Sequence, residues 1–247
     1  MKISVFFTPL GLTPSDVGGR PVLVLDILRA TTTIVEALAN GARDIVPVNE
    51  TDEAIKLAQA LERDDVLLVG ERKGERISGF ALGNSPSEMV RDVVGDRTLV
   101  MSTTNGTRAL TAAEAGNPVL VGAATNFSAV AEKLREVVRD ADELVILCAG
   151  RARMFALEDA YAAGRFARAV IPTGQRRQVE LNDAAVASLE ITRRYGDRWK
   201  RAVSASAAAR ELVRLGFKDD VVAATDSDRH DLVPIYADKH VTLLPRS

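Results

Sequence analysis

In VLVLDILRATTTIVEALANGA, Val22 to Ala42, an apolar run ends on a carboxylate, Asp26, followed by a guanidinium at Arg29 and hydroxyls at Thr31, Thr32 and Thr33 before an apolar helical pattern begins. Thr33 and Glu36 have the spacing of a capping box, in which the hydroxyl meets a free helix N–H and the acid reaches back, and this accounts for one threonine. Arg29, Thr31 and Thr32 remain. A helix start flanked by hydroxyls and an arginine suits an anion, because unpaired N–H groups and the helix dipole favour negative charge and guanidinium grips phosphate through two hydrogen bonds. Simple capping is the alternative reading of the hydroxyls, and the anion reading is preferred to it. A carboxylate beside a bound anion is unfavourable unless a cation stands between them or the carboxylate itself attacks, so by either route Asp26 points to phosphoryl chemistry.

Similar clusters recur. Glu71 lies where the apolar run Val66 to Val69 ends, in GERK. Ser102-Thr103-Thr104-Asn105-Gly106-Thr107 is a second hydroxyl and glycine loop between a strand and a helix; a turn with a cap would explain it, and without a lysine it is not a Walker loop. Gly83-Asn84-Ser85-Pro86-Ser87-Glu88 reads as a capping box with proline at the first helical position, which explains Ser85 and leaves Asn84 as the surplus polar group. Glu158 and Asp159 open a helix after the loop that carries Arg151 and Arg153. Acids there are ordinary dipole partners, yet four carboxylates on one rim suit a hard cation such as magnesium. The two arginines read either as solvated surface or as partners of a polyanionic substrate. His230 and His240 fit surface and packing roles, and Cys148, at a strand end, a buried inert thiol.

These loops need a scaffold that brings them together. Val22 to Leu25, Val66 to Val69, Thr98 to Met101, Val119 to Val121 and Leu144 to Leu147 are apolar on both alternations, as strands covered on two faces are. Between them, Thr33 to Asn40, Thr51 to Leu61, Pro86 to Val94, Thr107 to Ala115 and Ser128 to Arg139 repeat apolar residues at three and four, and two more helices are expected in 182 to 215 before a last strand at His240 to Leu244. The pattern is that of an α/β layered fold with a largely parallel or mixed central sheet, read as one domain over residues 1–247. Ligands in such sheets bind outside the carboxyl ends of the strands, so the polar loops would meet in one crevice if those strands are parallel neighbours.

Composition sets bounds. The 247 residues are 47% hydrophobic and 27% charged, and 32 Lys and Arg against 34 Asp and Glu give a net charge of −2, which recommends a small molecule over nucleic acid as partner. A single cysteine allows no intrachain disulfide and suits a reducing cytoplasm, and two histidines are too few for a histidine-rich metal site. No stretch approaches the roughly 20 apolar residues of a membrane helix, and no targeting segment is evident at the start. A cytoplasmic, soluble protein is expected; a homo-oligomer is compatible with all of this.

LDILRATTTIVEALANGA, GERKGERISGFALGNSP, STTNGTRAL, LCAGRARMFALEDAYAAG and LGFKDD resemble, in order and spacing, the blocks of the 2-phosphosulfolactate phosphatase family, from about Val22 to about Asp220. The resemblance implies a magnesium-dependent phosphatase with an α/β/α layered fold, turning 2-phosphosulfolactate into 3-sulfolactate and phosphate in coenzyme M biosynthesis. Asp26, Arg29 and Glu71 then match catalytic positions, with Asp26, Glu71, Glu158 and Asp159 as metal ligands. Thr31, Thr32, Asn84, Ser85, Thr103, Thr104, Asn105, Gly106, Arg151 and Arg153 match substrate-binding ones. Enzymes that form an aspartyl-phosphate in the haloacid dehalogenase manner use Asp-x-Asp, but the residue two after Asp26 is Leu28; a water activated by the metal is therefore the preferred nucleophile. The alternatives are a phosphatase or phosphotransferase acting on another 2-phospho-carboxylate, and a non-catalytic anion-binding protein.

Overall fold

A computed structural model describes residues 1–61, 65–172 and 179–244. Two blocks of parallel strands make up most of its sheet. The larger holds β7 (Val119–Gly122), β2 (Val22–Leu25), β8 (Glu143–Cys148), β1 (Lys2–Phe6) and β9 (Glu180–Leu181), in that order. The smaller holds β4 (Val66–Arg72), β6 (Thr98–Ser102) and β3 (Asp44–Pro47), with the short β5 (Glu75–Arg76) folded back antiparallel on the end of β4. Between the blocks lies the hairpin of β10 (Pro234–Ala237) and β11 (His240–Leu243), antiparallel both to β7 and to β3.

The strands bearing the polar loops are thus not all parallel neighbours, as the crevice argument required. Three antiparallel pairings in succession, β3 with β11, β11 with β10 and β10 with β7, reverse the sense of one block relative to the other. In a flat sheet the carboxyl ends of β2 and β6 would then lie on opposite edges. Packing brings them together instead. The helices α2 (Ala30–Ala39), which follows β2, and α5 (Gly106–Ala112), which follows β6, share one apolar layer with strands of both blocks, including Val22 and Val24, Leu99 and Met101, Ile34 and Leu110. The first residues of α2 and α5 meet, Gly106 against Ala30.

Alternate residues of β2 explain why its whole run is apolar. Val22 and Val24 face α2 and α5, whereas Leu23 and Leu25 face a second layer. That layer is built on α6 (Phe127–Ala141), α7 (Leu157–Val170) and α8 (Asp183–Tyr195). The smaller block is closed on its other side by α3 (Thr51–Leu61), over Val46 and Val100. The remaining helices are short: α1 (Pro14–Val17), α4 (Arg91–Val94), α9 (Trp199–Ser204), α10 (Ala207–Arg214) and α11 (Lys218–Ala223). No helix among the described residues is long and apolar enough to cross a membrane.

Local chemistry departs from the expected elements at three places. The helix expected over Pro86 to Val94 is a 3-10 turn, Pro86–Glu88, then α4, because Val90 is extended and Glu88 turns back to accept from Gly83 N–H at 2.9 Å instead of capping. Two helices were expected in 182 to 215 and three are present: Gly196, at φ 62°, ends α8, and Ser206 caps α10 by accepting from Ala209 N–H. Finally, α2 starts at Ala30, so Thr33 lies inside it and forms no capping box.

Candidate active site

Asp26 directly follows β2 and is buried. Its Oδ1 accepts from the Ala30 N–H at 3.3 Å, so the start of α2 is met by the chain's own carboxylate. The threonines knit this loop rather than reach a ligand. Thr31 Oγ1 accepts from the Asp26 N–H and donates to the Asp26 carbonyl, and Thr32 Oγ1 donates to the Ile27 carbonyl. Thr33 Oγ1 donates to the Asn84 carbonyl, tying α2 to the neighbouring loop, while Glu36 pairs with His230 and Arg229. A threonine hydroxyl that finds a carbonyl five residues back has no need of an anion, which is why Thr31 and Thr32 do not line the pocket.

The other carboxylates brace loops against one another. Glu71 accepts from Gly74 N–H through one oxygen and from Thr104 N–H through the other, both at 2.7 Å, joining the β4–β5 turn to the β6–α5 loop. Asp159, in the first turn of α7, accepts from Ile27 N–H at 2.9 Å and Gly150 N–H at 3.1 Å, joining the Asp26 loop to the β8–α7 loop. Glu158 precedes Asp159 in the same turn of α7 and is buried as well. Each of these charged hydrogen bonds, stronger than neutral ones, ties loops within one block; the two blocks are joined at the site by Thr33, which reaches the Asn84 carbonyl, and by Arg29, which donates to the Gly74 carbonyl.

The convergence leaves a hollow of about 370 Å³. Of the residues singled out in the sequence, Asp26, Arg29, Glu71, Asn84, Thr104, Asn105, Arg151, Glu158 and Asp159 line it. Ser85, Thr103 and Gly106 stand behind this lining, and Arg153 lies outside it on an exposed turn. Ser85 does not cap its helix but donates to Asp220 Oδ1 at 2.6 Å. Thr103 and Thr107 hydrogen-bond each other across the start of α5. Gly106 is required by space: a Cβ there would lie 2.3 Å from Ala30 Cβ and 2.7 Å from Asp26 Oδ2. Sequence reasoning did not assign Lys73 and Gly74 at the β4–β5 turn, nor Glu211, Leu212 and Leu215, which wall the hollow from the α10 side. A larger hollow of about 810 Å³ opens beside Glu36 and Asn40, further along α2, and contains none of these carboxylates.

The electrostatics raise three carboxyls of the pocket, Asp26, Glu158 and Asp159. Burial, with Glu71 and Glu158 nearby, pushes the Asp26 carboxyl up to about 7. Burial also raises Asp159 and Glu158, and Asp159 feels the charges of Glu158 and Asp26 as well. Cys148 is buried and its thiol is pushed up by burial, in keeping with an inert role. Two polar atoms at the pocket, Asn84 Oδ1 and Thr104 Oγ1, are buried without a hydrogen-bond partner. In a native protein such atoms are either satisfied by something bound or a standing cost.

Among the described residues, no three His, Cys, Asp or Glu side chains form a ready metal-ligand group. Magnesium asks for less, since it takes one or two carboxylates and completes its shell with water and phosphate oxygens. The donors here are carboxylate and amide oxygens, so the donor set fits a hard cation in kind.

An α/β protein with an acid-lined, amide-braced pocket where strand ends converge is the class that fold and site define. The family model described as 2-phosphosulpholactate phosphatase matches residues 7–239. A protein of Symbiobacterium thermophilum named "Probable 2-phosphosulfolactate phosphatase" is 37% identical over 93% of this chain and 96% of its own length. Proteins of the same name from Clostridium beijerinckii, at 34% over 98% and 99%, and Carboxydothermus hydrogenoformans, at 36% over 95% and 92%, are similar throughout. The chain belongs to the 2-phosphosulpholactate phosphatase family, whose members are phosphoric monoester hydrolases.

Proposed function

We propose that this chain hydrolyses 2-phosphosulfolactate to 3-sulfolactate and phosphate, and that it does so with magnesium. The observation that carries the reading is Asp26, a buried carboxyl at a strand end, raised toward neutrality, with one oxygen held by Ala30 and the other free for a ligand. Acids outnumber bases around it, and Arg29 is already paired with Asp220. Such a wall repels a phosphate ester unless a cation enters with it.

Asp26 with Glu71 or Glu158 would hold the magnesium, which when bound offsets charge on the phosphoryl oxygens and makes water a stronger acid. The rest is positioning by the chain. Asn84 and Thr104 offer their unpartnered oxygens to the bound groups, Glu71 and Asp159 keep the loops in register, and Leu28, Leu212 and Leu215 limit water. Catalysis of this kind is chiefly orientation and charge neutralisation. Phosphate release from 2-phospho-carboxylates with and without a sulfonate, each with magnesium or a chelator and with no acceptor added, tests the reading. Release only with metal, and fastest with the sulfonated ester, is expected; metal-independent turnover, or none without an acceptor, would refute it.

The two arginines of the β8–α7 loop part company in the structure, and Lys73 joins the one that faces the pocket. Arg151→Met and Lys73→Met are each expected to lower kcat/KM about tenfold for the sulfonated ester and much less for an aryl phosphate, because only the former presents distal anions. Arg153→Met should change both by less than about twofold, the usual outcome for a surface change. Steady-state kinetics on the two substrates decides, and equal losses on both would move Lys73 and Arg151 to the phosphoryl group.

A further inference from the structure

Arg29 faces the pocket, yet its guanidinium is gripped from behind. One terminal nitrogen donates to Asp220 Oδ2 at 2.7 Å and the other to the Gly74 carbonyl at 2.6 Å, while the plane lies over Phe217, 4.5 Å from the ring centroid. The Arg29 and Asp220 side chains are 3% and 2% exposed. The second oxygen of Asp220 accepts from Ser85 Oγ at 2.6 Å. Asp220 itself does not line the pocket.

From this geometry we infer that Asp220 is the positioning residue of the site: it aims the Arg29 guanidinium into the pocket, with Ser85 fixing the carboxylate that does so. A buried arginine has many rotamers and a large desolvation penalty, and both are met here by a carboxylate whose own two oxygens are each engaged. Removing one member of such a pair leaves the other buried and unpaired, so Arg29 would turn toward the nearest carboxylates, and those are the ones at the base of the pocket. The pairing also cancels much of the Arg29 charge. Arg29 therefore acts by direction, through the N–H groups it has left, more than as a free cation. Ser85, which looked like a helix cap in the sequence, and the Asp220 of LGFKDD gain a shared role that neither shows alone.

The inference rests on the phosphatase reading for its kinetic test and on nothing but the fold for its spectroscopic one. Asp220→Asn is expected to lower kcat at least tenfold with a much smaller change in KM, and Asp220→Glu to recover part of the loss. In an Arg29→Met background the same Asp220→Asn change should cost less than about twofold, since a residue that acts only through Arg29 has nothing left to position. Separately, nitrogen-15 arginine spectra should contain a guanidinium resonance of restricted rotation that Arg29→Met removes, Asp220→Asn removes and Asp220→Glu keeps. Undiminished kcat in a folded Asp220→Asn variant, a loss of equal size in both backgrounds, or a restricted resonance that survives Asp220→Asn would each overturn the role. If the wild-type protein turned over no phosphate ester, the proposed function would fall, and the spectra would still decide on Asp220.

Discussion

Asp26→Asn should cut phosphate release at least about a hundredfold, the scale of losing one electrostatic catalytic contact, and should at the same time make the metal-free protein more heat-stable above neutral pH. The second half follows from its carboxyl being raised from 3.8 to about 7. Between those values the folded chain holds a proton that the unfolded chain has released, so this group's contribution falls as pH rises through the window and is level above it. At roughly 1.4 kcal/mol per unit the ionised carboxylate costs at most about 4 kcal/mol at pH 8. Asparagine keeps the Ala30 hydrogen bond without the charge. At about 2 to 4 °C per kcal/mol for a chain of this size, the variant should melt several degrees above wild type at pH 8, the gap closing toward pH 4. Turnover within threefold of wild type, or a lower Tm at pH 8, would remove Asp26 from the centre of the site.

Gly106→Ala should be nearly as damaging for a different reason. The added methyl would need the space of Ala30 Cβ and Asp26 Oδ2 at once. Neither can withdraw cheaply, because Ala30 opens α2 and Asp26 is held by Ala30 and Thr31. Overpacking of this sort costs typically 1 to 3 kcal/mol, and forcing the two helix starts apart displaces the carboxylate that the site is built on. Denaturant unfolding should show a loss in that range and kcat should drop at least tenfold; a fully active, equally stable variant would mean that α2 and α5 are not in contact there.

How much of this was legible in the sequence varies by element. The strands β2, β4, β6, β7 and β8 were visible because burial on two faces writes an unbroken apolar run. β3 carries Pro47, which argues against a strand, and β10 begins at Pro234, so both escaped notice. β1, KISVF, alternates and is only half buried, a weaker signal. In the pocket, residues that follow strand ends were visible because topology sends strand ends to sites. Hydroxyls were misjudged at Thr31 and Thr32, since sequence does not say whether a threonine reaches outward or folds back on its own loop. Asp220 was missed because its role depends on contacts between the loop after β2, the loop before the 3-10 turn Pro86–Glu88 and a helix far along the chain, and Lys73 because its place in the pocket wall depends on how the chain folds back after β4; no local pattern encodes such meetings.

The hairpin of β10 and β11 fills the middle of the sheet, yet it is made from residues 234–243, after every other strand in the chain. A growing chain on the ribosome can pair the strands within each parallel block beforehand, but β3 and β7 then wait with open edges until these last residues emerge. Open edges invite pairing with another chain, and pairings between distant segments are slow to form. Synthesis therefore passes through a stage in which the edges of β3 and β7 are open to intermolecular association, a hazard that ends when residues 234–243 have paired with both.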